Sequence, residues 1–157
     1  MENRNLENRV SSAIGLFEEG YNCSQAVFMA YADIYDIDVQ TAAKLASSFG
    51  GGMGRLREVC GAVTGMFLVL GLHYPFTDTT DKAAKDTNYK AVQRTANAFK
   101  EVMGSYICAD LLKIKQEPQA PESSVRDAAY YQLRPCARCV AVAAEIVGKE
   151  LLSGHSE

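Results

Sequence analysis

Five cysteines, Cys23, Cys60, Cys108, Cys136 and Cys139, carry most of the reactive chemistry available to this 157-residue chain. A thiolate is the nucleophile of disulfide exchange and also a ligand for zinc and iron-sulfur clusters, so cysteine position decides which reaction is open. Only Cys136 and Cys139 form a local motif, Cys-Ala-Arg-Cys, with Pro135 before it and the positive Arg138 inside it. A CxxC at a helix start favours a reactive first cysteine and a resolving second one. No βαβ pattern surrounds it, which argues against a thioredoxin fold, and a second CxxC that would complete a zinc ribbon is missing.

The elements that must position these thiols read as helices throughout. Val10, Ala13, Ile14 and Phe17 share one face before Gly20 ends a first helix. Asn22 with Gln25 three residues on forms a capping box for a second helix that begins at Cys23 and places Ala26, Val27, Ala30, Tyr31 and Ile34 on one side. Asp38 caps a third helix through Ala42, Ala43, Leu45 and Ala46, which stops at the glycine-rich run Gly50 to Gly54. From about Arg57 to Leu72 the chain is apolar nearly all round, which predicts a central apolar helix crossed closely at Gly61, Ala62 and Gly65. A long helix follows Asp81 and ends at Gly104. Ser105 is expected to cap a short helix bearing Cys108, Lys113 to Ser124 reads as a loop, and Val125 to Tyr131 as a short helical piece. Pro135 then opens the last helix, with Cys136 in its first turn. The fold class expected is all-α, a single-domain multi-helix bundle over residues 1–157.

On this map Cys23, Cys108 and Cys136 fall in first turns of helices, and Cys60 lies near the start of another. Free N–H groups and the positive end of the macrodipole stabilise an anion there, so each thiol is expected to ionise below its free pKa of ~8.5. The competing explanation is packing, since free cysteine behaves as a small apolar residue and is often buried. Gly51 and Gly52 in the glycine-rich run with Arg55 and Arg57 just after it, and Gly61 and Gly65 beyond, are candidate cofactor contacts: the first group for an anion such as a phosphate or pyrophosphate at a helix N-terminus, the second for close approach of a cofactor or a neighbouring helix. His73 ends the apolar helix, where a cap or core partner is the ordinary role. Tyr21, Tyr31, Tyr74 and Tyr89 fit core faces.

Composition narrows the function. Sixteen basic against 19 acidic residues leave a net charge of -3. No dense Lys/Arg stripe with interleaved aromatics is present, so nucleic acid is not an expected partner. The polar Met1–Val10 lacks a secretory leader and Val59–Leu72 is shorter than the ~20 residues of a membrane span, so a cytoplasmic, non-membrane protein is expected. In that reducing compartment cysteines serve metal binding, catalysis or thiol redox rather than a structural disulfide framework.

The segment Cys60-Gly61-Ala62-Val63-Thr64-Gly65 reads as CGAxxG. With Asn22-Cys23-Ser24-Gln25 before it and Cys108 and Cys136 after it, the chain resembles the C_GCAxxG_C_C family of redox-active proteins over about residues 20–151. The resemblance implies that Cys23, Cys60, Cys108 and Cys136 are the family's four cysteines, with Gly61, Ala62 and Gly65 in its core motif. Cys139 looks like an addition.

Three readings follow. In the first, the cysteines converge and a pair cycles between dithiol and disulfide, as a thiol-disulfide oxidoreductase working with an unidentified redox partner. In the second, Cys23, Cys60, Cys108 and Cys136 hold an iron-sulfur cluster or zinc. In the third, the cysteines only pack, with no cofactor. A homo-oligomer is compatible with each.

Overall fold

The computed structural model of the protein describes residues 3–153. Helix α1 (Asn3–Glu18) gives way at Gly20, whose φ of 113° is the left-handed conformation glycine adopts freely. Helix α2 (Cys23–Met29) starts with the capping box expected: the Gln25 N–H donates to Asn22 Oδ1 at 2.9 Å, and the Asn22 N–H donates to Gln25 Oε1 at 3.1 Å. The same two side chains reach α3 (Val39–Ala46), where Asn22 Nδ2 donates to the Ser47 carbonyl and Gln25 Nε2 to that of Ala43. The cap that orients Cys23 is thereby fixed to a neighbouring helix. Asp38 caps α3 as anticipated, accepting from the Thr41 N–H.

The second helix is shorter than its apolar pattern suggests. It breaks after Met29 into a 3-10 turn (Ala32–Tyr35), which leaves Ile34 exposed. Leu45 and Tyr89 are likewise exposed, because each lies at the rim of its helix's apolar face.

The glycine-rich run is built differently from expectation. Five consecutive residues from Gly51 to Arg55 have φ between 59° and 71°, and Arg57 follows at 62°. Hydrogen bonds from the Met53 and Gly54 N–H groups to the carbonyls of Phe49 and Gly50 close this turn, α4 (Gly50–Met53). Left-handed backbone costs a non-glycine residue roughly 1–2 kcal/mol, so Met53, Arg55 and Arg57 are held there by their surroundings. Helix α5 (Gly61–His73) begins only at Gly61, because residues 58–60 run beside 106–108 through an isolated antiparallel bridge between Val59 and Ile107. The glycine run therefore does not open a helix.

Helix α5 buries Gly61 through Met66, Val69 and Leu70, and packs against α2, α9 (Cys136–Ser153) and α6 (Lys82–Met103). Gly65 lets α2 approach, and Gly61 makes room mainly for the backbone at Phe49 and Gly50. A Cβ at Gly65 would sit 2.7 Å from the Ser24 carbonyl oxygen, and one at Gly61 would sit 2.9 Å from that of Phe49. Val27, Phe28, Val63, Met66, Phe99, Val140 and Val147 complete the interior, each worth about 1.5–3 kcal/mol by burial.

Asp81 caps α6, and Gly104 ends it at φ 90°. Ser105 is not the cap of α7 (Cys108–Leu112), which Ile107 precedes. The Ser105 hydroxyl instead accepts the Ile107 N–H and donates to Asp110. Asp127 caps α8 (Ala128–Leu133), and α9 opens at Cys136 directly after Pro135. The architecture is all-α. No helix of the described residues is long and apolar enough to cross a membrane.

Candidate functional site

Cys23, Cys108 and Cys136 are the first residues of α2, α7 and α9, and Cys60 is the residue immediately before α5. Packing of these helix starts brings all five cysteines, Cys139 included, to the wall of one cavity of about 60 Å³. The bridge at Val59 and Ile107 sets two of them side by side: the Cys60 N–H donates to the Tyr106 carbonyl at 2.8 Å, and the Cys108 N–H to that of Glu58 at 2.6 Å. The other three sit on α2 and α9, which contact each other and α5. All five are free thiols, four buried and Cys136 partly exposed.

The sulfurs are arranged in pairs. Cys23 stands beside Cys136, and Cys139 beside Cys60, each near enough to share a proton with its neighbour. In the first pair Cys136 carries the charge. Its pKa is lowered to about 7, above all by the hydrogen bond from Cys23, and further by the charge of Arg134, a hydrogen bond from Tyr130 and the charge of Arg57, against the opposing effect of burial. Cys23 is correspondingly pushed up, since it is the proton donor and is buried. In the second pair the hydrogen bond from Cys139 lowers Cys60, helped by the backbone N–H groups of Ala62 and Val63, and Cys139 is raised. Cys108 stands apart. Burial raises it, although the Arg57 Nη1 donates to its sulfur at 3.4 Å and pulls the other way.

The expectation that every thiol at a helix start ionises easily is thus corrected. A nearby sulfur shares a proton more strongly than a helix end stabilises charge, so in each pair one cysteine gains acidity and its partner loses it. Among the described residues no group of three or more His, Cys, Asp or Glu is arranged to hold a metal ion.

The remaining candidates divide. Gly51, Gly52 and Gly61 line the cysteine cavity, whereas Gly65 faces Ser24 and Val27 in the α2 contact and Arg55 lies in an adjoining cavity. At Gly52 a Cβ would come within 2.6 Å of the Cys108 Cβ, so glycine there makes room for a cysteine. His73 hydrogen-bonds Tyr35 at 3.0 Å and packs edge-on to Tyr74, and burial lowers its pKa, which fits its expected role as a core partner.

The sequence marks Arg57, beside the glycine-rich run, as a candidate anion contact, but gives no such reading for Arg126, Tyr130 and Arg134. Arg57 is 2% exposed, Arg126 lies 4.4 Å over the Phe17 ring, and Arg134 lies 4.7 Å over that of Tyr130. The four-residue spacing of Arg126, Tyr130 and Arg134 is the one signal that points to a shared face.

The fold and this cavity define an all-α protein with thiols gathered at helix starts. A family model described as "Putative redox-active protein (C_GCAxxG_C_C)" matches residues 21–150, and the chain belongs to that family. No curated protein and no solved structure matches it.

Proposed function

We propose that the protein is a thiol-disulfide oxidoreductase in which Cys136 is the attacking thiolate and Cys23 resolves the mixed disulfide. The observation that carries this reading is the pairing of the partly exposed, acidified Cys136 with Cys23 at the wall of a cavity shared by all five sulfurs. A thiol with pKa near the ambient pH combines a useful thiolate fraction with retained nucleophilicity. The Cys136 thiolate attacks one sulfur of a disulfide, its S–S bond breaks, and one thiolate leaves. Cys23 gives its proton to that thiolate and attacks the Cys136 sulfur, releasing the second. The protein dithiol is oxidised by two electrons to a disulfide, and the substrate disulfide is reduced to two thiols.

Cys60 and Cys139 form a second dithiol, close enough to Cys136 for its charge to raise both. The reading expects this pair to exchange electrons with the first through Cys139, which lies one turn along α9 from Cys136.

The test is peptide mapping after mild oxidation by a small disulfide. Cys23–Cys136 and Cys60–Cys139 bonds, reversed by a dithiol reductant, are expected. Five thiols that stay reduced under conditions oxidising a free dithiol would refute the proposal.

A further inference from the structure

A second cavity of about 260 Å³ adjoins the cysteine cavity, and Asn22, Gly51, Arg57, Arg126, Tyr130 and Arg134 belong to the walls of both. Arg55 completes a set of four arginines around it, and no Asp, Glu or Lys lines it. Positive charge is thus concentrated at one place in a chain whose net charge is -3.

None of the four guanidinium groups forms an ion pair among the described residues. Arg55 donates to the Ala120 carbonyl, the Ser124 hydroxyl and Gln119 Oε1. Arg126 donates to the carbonyls of Phe17 and Tyr21, and Arg134 to the Ser124 hydroxyl. Arg57 donates to Gln119 Oε1 and the Cys108 sulfur, and its buried Nη2 has no hydrogen-bond partner. A buried guanidinium nitrogen with nothing to donate to is costly, and several like charges around one space raise that cost. Burial first, then the charges of Arg57 and Arg134, lower the Arg55 pKa, with the exposed Glu122 acting in the opposite sense.

The left-handed turn keeps this space open. A Cβ at Gly51 would lie 3.1 Å from the Arg55 Cγ and 3.8 Å from the Arg57 Nη1, so a side chain there would crowd two of the arginines. The volume falls below the ~300–1,000 Å³ of pockets for drug-sized ligands, which suits a small molecule.

From this juxtaposition of four carboxylate-free arginines with the thiol cavity, we infer that the basin binds the carboxylate of a small anionic disulfide and presents its S–S bond to Cys136. The inference rests on the proposed thiol exchange and names its substrate class. Planar guanidinium groups match carboxylates with paired hydrogen bonds, and the shared wall sets a bound carboxylate beside the sulfurs. One turnover converts the Cys136/Cys23 dithiol and the anionic disulfide into a protein disulfide and two anionic thiols, and a dithiol reductant restores the protein.

The experiment separates binding from chemistry. Calorimetry at low salt measures binding of 3,3'-thiodipropionate, a thioether dicarboxylate with no S–S bond, to the reduced protein and to its Cys136→Ser, Arg134→Gln and Arg134→Lys variants. Saturable binding retained in Cys136→Ser, weakened at least about tenfold in Arg134→Gln and partly restored in Arg134→Lys is expected from the loss of charge-assisted hydrogen bonds. Kinetics then compare reduction of anionic 3,3'-dithiodipropionate with that of cationic cystamine, and the anionic disulfide is expected to react at least about tenfold faster, a preference that shrinks in Arg134→Gln. Failure of the folded protein to bind the thioether, or equal rates for the two disulfides, would overturn the inference while leaving thiol exchange intact. Binding of the thioether with reduction of neither disulfide would overturn the thiol-exchange reading and leave the anion site standing.

Discussion

Cys139 shares a proton with its neighbour Cys60, on the loop before α5, although the CxxC spacing sets it one turn from Cys136 on the same helix. The two cysteines of the local motif thus belong to different pairs. A helix holds residues i and i+3 at a fixed separation, whereas a cysteine from another element can approach along the direction in which the side chain points.

Alkylation of Cys136 should follow its ionisation. The rate of modification by iodoacetamide is expected to rise with a midpoint near pH 7. In Cys23→Ala the midpoint should move up towards that of an ordinary thiol, because the interaction with Cys23 is the leading cause of the shift. A midpoint that stays put would show that Cys23 is not the donor.

The same pair ties stability to pH with two opposite signs. The folded pKa of Cys136 is lowered, so its contribution is complete above about 9 and is lost as pH falls through about 7. The folded pKa of Cys23 is raised, so its contribution is complete below about 9 and is lost as pH rises beyond it. Urea denaturation of the reduced protein against Cys23→Ala/Cys136→Ala should show a difference that grows from pH 6 towards roughly 9 and declines above it.

Glycines of α5 should respond oppositely to alanine. Gly65→Ala sets a Cβ 2.7 Å from the Ser24 carbonyl and is expected to cost about 1–3 kcal/mol by forcing α2 and α5 apart. Gly71 has nothing within 4 Å of its would-be Cβ, so Gly71→Ala should stabilise by about 0.5–1 kcal/mol. Urea midpoints distinguish the two directions.

Within the left-handed turn, Gly54→Ala meets only the Ser48 carbonyl at 3.8 Å and should lose about 1–2 kcal/mol from backbone conformation alone. Gly52→Ala adds a clash with Cys108 and the Arg57 backbone, and should be the more damaging change by calorimetric unfolding. It should also displace Cys108, read as faster alkylation of that thiol.

Tyr31 is fully buried and its hydroxyl donates to the Ala144 carbonyl at 2.6 Å, joining the end of α2 to α9. Tyr31→Phe is expected to cost about 1 kcal/mol in urea denaturation and to leave the Cys136 ionisation unchanged.

Much of the helix map was legible because helix ends are local devices. The Asn22/Gln25 box, the Asp38 and Asp81 caps, the Gly104 stop and Pro135 before α9 each act within a few residues, and their chemistry is visible in order along the chain. The same devices put Cys23 and Cys136 at helix starts, whereas the start at Cys108 has no side-chain cap and follows the Val59–Ile107 bridge instead. The end of α2 and the exposure of Tyr89 were less legible, since an apolar pattern says which face can be buried and not how much of it finds a neighbour.

What the amino-acid order determined by itself was the all-α class, most of the helix starts and family membership, carried by short-range patterns. Only the tertiary structure decided which sulfurs meet, which member of each pair holds the charge, and that Arg57, Arg126 and Arg134 stand beside them. Ionisation and ligand contact depend on distances of a few ångströms between groups remote along the chain, and those distances exist only once α2, α5 and α9 have packed.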